Sequence, residues 1–284
     1  MTYYPYFRGK QYDLYALREL VQQGLIGAST VPIIEPVKDS RALLQTLTVF
    51  QEHQQPFYLI ENPQAGDFRT EAGMVKLANL SVPKAHILTG GEETSLPELL
   101  IGFEASAIQQ YEPEWFESHT TIVPYEFRIL NHIKGPKIIN QDAFTRVPRP
   151  AYYESLPDEL FTTDHVATAK RGFQGFSDFS IDSRIYYEQS FPSAIMALHF
   201  VYPQKDELRI HHFLSAEEGT QKEKFFGIMA EVQQWCETIK LETSGLSLLV
   251  EYLHSQKFPG MGVLRKAQVM HHLEVVNQVL KQTH

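Results

Sequence analysis

Val31-Pro32-Ile33-Ile34-Glu35-Pro36-Val37-Lys38-Asp39 places a short, β-branched apolar run directly in front of two opposite charges, Glu35 and Lys38. Ser40, an N-cap residue type, follows, and then Leu43, Leu44, Leu47 and Phe50 recur at helical spacing. A buried strand that ends in polar residues and turns into an amphipathic helix is the repeating unit of a parallel α/β fold. In a closed barrel such a strand delivers its terminal side chains to the open end.

The same unit recurs on both sides of this stretch. Upstream, residues 3–7 form an aromatic run bounded by Arg8-Gly9-Lys10, and Leu14, Leu17, Leu20 and Val21 follow with helical period. Downstream, residues 57–60 end in Glu61-Asn62-Pro63 and residues 85–88 end in Thr89-Gly90-Gly91. Residues 99–103 fit either an extra strand or the start of a helix through Ala105 and Ile108, and are read as helix. Residues 120–124 and 137–139 read as a fifth and a sixth strand. A Pro- and Tyr-rich surface excursion spans 145–157, and a helix through Leu160, Val166 and Ala169 follows it. Residues 175–182 read as the seventh strand. The eighth, 194–201, is expected to return through a Pro203-containing turn as a hairpin with 208–214. From Lys222 onward the pattern is helical to the end.

About eight strands alternating with helices fit a TIM-like (β/α)8 barrel, and 284 residues accommodate one such domain over 1–284 with C-terminal helices. An open dinucleotide-binding sheet is disfavoured, because Arg8-Gly9-Lys10-Gln11 is not the glycine-rich turn that should follow its first strand.

Composition limits the function classes. With 43% hydrophobic and 21% charged residues the chain is an ordinary globular one, which excludes disordered and collagen-like classes. A formal net charge of -9 argues against a nonspecific duplex nucleic-acid binder, which needs dominant Lys and Arg. No apolar run approaches the ~18 residues of a membrane span. The N-terminus lacks the charged-then-apolar order of a secretory signal. The single cysteine, Cys236, cannot form an intrachain disulfide, so a cytoplasmic setting is the default expectation.

A barrel would gather Arg8, Lys10, Glu35, Lys38, Glu61, Asn62 and Asp178 at one mouth, with Thr89, Glu126, Asp142 and Asp182 from the same strand ends. Arg8 and Lys10, joined by Gly9, suit a phosphate or carboxylate, and Lys38, Glu61 and Asn62 would complete the ligand-binding rim. Glu35 and Asp178 are the proton-transfer candidates. The alternative for Glu35 is a rim pair with Lys38. His211-His212 falls on the expected hairpin, where alternation sends one imidazole inward, and His212 joins the catalytic candidates. A satisfied structural histidine is the competing account. No His-Glu-x-x-His zinc signature, Walker loop, Gly-x-Ser-x-Gly elbow or Cys-x-x-Cys pair occurs, so no metal site is assigned and no cofactor is named.

Tyr4-Pro5-Tyr6-Phe7-Arg8-Gly9-Lys10-Gln11-Tyr12, Ala16-Leu17-Arg18-Glu19-Leu20 and Val31-Pro32-Ile33-Ile34-Glu35-Pro36 together resemble the opening of the bacterial and phage beta protein family. Gly175-Phe176-Ser177-Asp178-Phe179 and Leu208-Arg209-Ile210-His211-His212-Phe213 are similar in kind to its later segments. The resemblance implies a barrel-like α/β fold and, for many members, a prophage or defence gene setting. It carries over no reaction.

Two readings therefore stand side by side. One is an enzyme acting on a small anionic or phosphorylated ligand at the C-terminal mouth of the barrel. The other is a non-catalytic interaction or regulatory protein in a prophage or phage-defence setting, with the aromatic Pro150–Tyr153 excursion as its candidate partner-binding patch.

Overall fold

The computed structural model describes residues 1–91, 96–185 and 193–282. In chain order the strands are β1 (Thr2–Phe7), β2 (Ile33–Ile34), β3 (Tyr58–Ile60), β4 (Lys84–Ile87), β5 (Leu99–Ile101), β6 (Thr120–Pro124), β7 (Lys137–Asn140), β8 (Asp158–Thr162), β9 (Gly175–Asp178), β10 (Ala197–Gln204) and β11 (Glu207–Leu214). The helices are α1 (Gln11–Gln22), α2 (Arg41–Glu52), α3 (Glu71–Ala78), α4 (Ala105–Ile108), α5 (Phe127–His132), α6 (Asp164–Lys170), α7 (Gln221–Ile239), α8 (Ser244–His254) and α9 (Met261–Gln282). The chain divides into two compact units. The first comprises Met1–Asp142 and Asp164–Phe179, the second Ala143–Thr163 and Ser180–His284.

The first unit is a closed parallel barrel in the order β1-β2-β3-β4-β5-β6-β7-β9. Closure is made by β1 against β9, with Tyr3 opposite Phe176 and Pro5 opposite Asp178. Its interior follows from strand alternation. Tyr6, Ile33, Ile60, Ala85, Ile87, Leu99, Ile101, Ile122, Ile138 and Phe179 form one buried cluster drawn from around the whole barrel, so these residues point inward and their sequence neighbours point out. Gly175 is required at this closure, since a Cβ there would lie 2.4 Å from the Thr2 carbonyl oxygen. On the outer face Leu100 and Val123 pack with Ile108 of α4 and Ile129 of α5. Leu14 and Leu17 bury the apolar stripe of α1 completely, each contributing about 1.5–3 kcal/mol relative to exposure.

Three elements differ from the sequence expectation, the first being Asp158–Thr162, which pairs with β11 as strand β8 where a helix through Leu160 was expected. Leu99–Ile101 is the fifth barrel strand, not the start of a helix, and pairs with both β4 and β6. With that strand counted, Gly175–Asp178 closes the barrel as its eighth strand. The hairpin of β10 and β11 is therefore not part of the barrel. It lies in a separate three-stranded sheet, β10-β11-β8, in the second unit. The barrel of the expected 1–284 domain thus uses only strands of the first unit.

In the second unit, Leu198, Phe200 and Phe213 on one sheet face pack with Phe225, Ile228, Met229 and Val232 of α7, Leu246 and Leu249 of α8, and Leu264 and Ala267 of α9. A capping box between Thr220 and Glu223 starts α7. Along the outer edge of β10, the His199 backbone N–H donates to Gln268 Oε1 at 2.7 Å, and His271 Nε2 donates to the Val201 carbonyl at 2.6 Å. Gln268 and His271 are one helical turn apart on α9, which thereby satisfies edge-strand backbone groups. No helix among the described residues is long and apolar enough to cross a membrane.

Candidate functional site

At the C-terminal end of the barrel two of the expected charges meet. Arg8 leaves β1 on the inward side, two residues after Tyr6, and is only 8% exposed. Gly9 follows at φ +58°, where a Cβ would approach the Glu35 carbonyl oxygen to 3.2 Å, so the sharp turn between β1 and α1 calls for glycine. Glu35 leaves β2 beside it. Its Oε2 accepts from Tyr6 Oη at 2.8 Å, and its Oε1 accepts from the Gln64 backbone N–H at 2.7 Å. Arg8 Nε lies 3.7 Å from Glu35 Oε2. That is an ion pair beyond hydrogen-bond length, so Glu35 steers the guanidinium without binding it tightly.

Aromatic rings complete the setting. The Arg8 guanidinium carbon is 5.9 Å from the Tyr6 ring centre and 5.7 Å from that of Phe179, within cation–π range. Tyr6, Phe103 and Phe179 contact one another at 5.1 to 5.8 Å. Burial first, and the Glu35 carboxylate second, push the Tyr6 phenol well above its ordinary pKa, so Tyr6 keeps its proton and donates a hydrogen bond to Glu35.

The other expected mouth residues go elsewhere, mainly because consecutive strand residues face opposite sides. Asp178 accepts a 2.6 Å hydrogen bond from Tyr3, which alternates with the inward Tyr6 and stacks on Phe176. It is buried on the outer surface of the barrel wall, and its expected role beside Arg8 is corrected on that ground. Glu61 contacts His86 Nδ1 at 2.8 Å, and His86 lies between the inward Ala85 and Ile87, so this pair too is outside. The Asn62 side chain donates to the Ile87 carbonyl and accepts from the Ile87 N–H, extending the pairing of β3 with β4 at the rim. Lys10 is the N-cap residue of α1. Lys38 is exposed on the loop after β2, and the expected alternative of a Glu35–Lys38 pair gives way to the Glu35–Arg8 pair.

His212 belongs to the second unit. Alternation on β11 holds as expected. His211 turns to Asp158 at 3.2 Å, on the face that carries Trp235, and His212 turns to Glu159 Oε1 at 3.2 Å, on the opposite face. His212 Nδ1 sits 2.7 Å from Nδ1 of His199, its direct partner across the hairpin. Tyr153 stacks on the His212 ring at 4.2 Å, and Phe144 meets both imidazoles edge-on. Tyr153 is therefore buried, and of the two tyrosines in the expected Pro150–Tyr153 partner-binding excursion Tyr152 alone is exposed.

Sequence reasoning missed Tyr6, Gln64, Phe103 and Phe179 at the mouth and Glu159 and His199 around His212. One signal for His199 was available. A two-residue turn pairing Gln204 with Glu207 fixes a register in which His199 falls opposite His212. No group of His, Cys, Asp and Glu among the described residues is arranged to hold a metal ion.

The site is thus that of an eight-stranded parallel barrel with an arginine–glutamate pair set among aromatic rings at its C-terminal mouth. No family model matches the chain. No curated protein matches it either. Among solved structures, the YdjI aldolase from Escherichia coli K12 is similar over 95% of this chain and 92% of its own, with 10% sequence identity and a TM-score of 0.31. A likeness of that degree assigns neither fold nor reaction.

Proposed function

We propose that the barrel mouth binds a small anionic ligand, with phosphorylated compounds foremost, and that Arg8 is the residue that holds it. The observation that carries this reading is the placement of Arg8. A guanidinium only 8% exposed, seated against the Tyr6 and Phe179 rings and steered by Glu35, stands at the end of the barrel where this fold places its ligands. Taking such a pair out of water costs several kcal/mol per ion, a cost that a purely structural contact could avoid with apolar side chains. Both Glu35 oxygens accept hydrogen bonds, which hold its carboxylate beside Arg8, and in this reading its role is to orient Arg8. The resemblance to the beta protein family, which is specific in the first third of the chain, belongs to the same proposal with the prophage or defence setting it implies.

The test is ligand-dependent stabilisation. Inorganic phosphate and a panel of phosphorylated metabolites are titrated against the wild-type protein and Arg8→Lys, which keeps the charge but loses the planar fork. A ligand at a hundredfold excess over its Kd raises stability by about 2.7 kcal/mol. The expected result is a shift in the wild type that is diminished in Arg8→Lys. No shift for any compound, or equal shifts in both proteins, removes the anion site. The competing reading, a barrel that serves as an interaction scaffold, gains from the second outcome.

A further inference from the structure

The cluster around His212 holds a chemistry that the barrel mouth does not need. His199 and His212 face each other across β10 and β11, on the side of the sheet opposite the Leu198, Phe200 and Phe213 core. Their Nδ1 atoms are 2.7 Å apart, so one nitrogen must carry a proton and the other a lone pair. Glu159 decides which. An ionised carboxylate only accepts, so His212 Nε2, 3.2 Å away, is the donor toward Glu159 Oε1. A neutral His212 then offers its Nδ1 lone pair, and His199 must donate from Nδ1. The His199 Nε2 is left with its lone pair.

We propose that Glu159, His212 and His199 form a proton relay whose working end is His199 Nε2, which takes a proton from a ligand hydroxyl or a water molecule. The geometry is fixed by its surroundings. Thr145 Oγ1 donates to the second Glu159 oxygen at 2.8 Å, the Tyr153 hydroxyl is tied to the Thr145 carbonyl at 2.8 Å, and the Tyr153 ring lies parallel to His212, 24° from coplanar. His199 as a whole residue is half-buried. Burial holds both imidazoles below their ordinary pKa, which favours the neutral forms. Glu159 opposes that effect on His212, while His199 feels His212 and the Arg265 cation. Asp158 and His211, carried on the other face of their strands, act on His212 in opposite senses.

The proton balance is simple. The ligand O–H bond breaks, its electron pair stays on oxygen, and the proton forms the Nε2–H bond of a His199 imidazolium. That cation keeps donating through Nδ1 to His212, whose own donation to Glu159 brings a carboxylate charge to bear on it. Arg265, whose charge acts on His199, is itself positioned by the Ile181 carbonyl at 2.7 Å and by Asp182. His199 is the group that touches the ligand. His212 and Glu159 are positioning residues.

The test uses the full chain and does not depend on whether Arg8 binds an anion. Two-bond ¹H–¹⁵N spectra of histidine-labelled protein between pH 5.5 and 8.5 read the tautomers directly, with His199→Gln supplying the assignment. The expected result is His199 protonated at Nδ1 and His212 at Nε2 at neutral pH. His199 carrying its proton on Nε2 overturns the relay. Acylation by diethyl pyrocarbonate, mapped by mass spectrometry, then reads the reactivity of the bare nitrogen. His199 is expected to react several-fold faster in the wild type than in Glu159→Gln, which retains the shape and loses the charge. Equal rates in a folded variant make the cluster merely structural and refute the proposal. Should Glu159→Gln fail to fold, the tautomer measurement on wild type decides alone.

Discussion

Replacing Arg8 by Met removes the cation from a carboxylate whose side chain is 4% exposed. At 3.7 Å the gross Coulomb attraction of the pair is about 4.5 kcal/mol at an effective dielectric constant of 20. Without Arg8, Glu35 keeps only the donations from Tyr6 and the Gln64 N–H, and breaking one side of a buried pair costs about 3–5 kcal/mol. Glu35→Gln is expected to cost less, about 2 kcal/mol, because the guanidinium retains the Tyr6 and Phe179 ring faces. The double variant Arg8→Met/Glu35→Gln removes both charges of this pair and should recover about 2 kcal/mol relative to the sum of the two singles. Urea unfolding measures all four proteins. The two tryptophans give a clean probe, since Trp115 lies in the barrel unit and Trp235 in the other, and a Trp235→Phe background leaves only the barrel signal. A loss below about 1 kcal/mol for Arg8→Met, or strict additivity in the double variant, refutes the coupling between these side chains.

Two further outcomes follow from the structure. Gly66 has φ +85°, and a Cβ there would stand 1.8 Å from the Val37 carbonyl oxygen, so Gly66→Ala must push the loop that carries Gln64 away from Glu35. The expected loss is about 2 kcal/mol or more in urea unfolding, and a neutral substitution would show that the loop is not held against Val37. His271 is fully buried, donates from Nε2 to the Val201 carbonyl and accepts from Thr243 at Nδ1, and burial pushes its pKa down to about 4. The unfolded chain, with an ordinary imidazole pKa of about 6.5, therefore binds this proton first on acidification. The contribution is complete above pH 6.5 and is lost as pH falls toward 4, about 3 kcal/mol in all. His271→Gln should flatten the stability profile across that window when followed by Trp235 fluorescence, and an unchanged slope would assign the acid sensitivity elsewhere.

The barrel was legible in the sequence where a strand is an apolar run closed by polar residues, as at Ile33-Ile34-Glu35 and Ile138-Ile139-Asn140. It was not legible at Leu99-Leu100-Ile101, because three apolar residues fit one turn of a buried helix as well as a strand buried on both faces. Missing that strand made the hairpin look like the eighth member of the barrel. The Arg8–Glu35 pair was reachable from the position of both residues at strand ends. Asp178 failed because a strand end specifies height along the barrel but not inward or outward direction, which only the register with Tyr3 and Phe176 reveals. Glu159 was hidden for a different reason. The segment that carries it, Asp158–Thr162, reads as helix in sequence, whereas pairing with β11 makes it a strand.

The manner in which α9 lies along β10 bears on how the protein is made. Some 69 residues separate His199 from the Gln268 oxygen that satisfies its backbone, so on the ribosome the strand emerges well before its cover. Until that last helix arrives, the nascent hairpin presents an open border to which a neighbouring chain could add a strand of its own. The seal on this unit is therefore made well after the strand it covers, and any delay there favours assembly between molecules over completion within one.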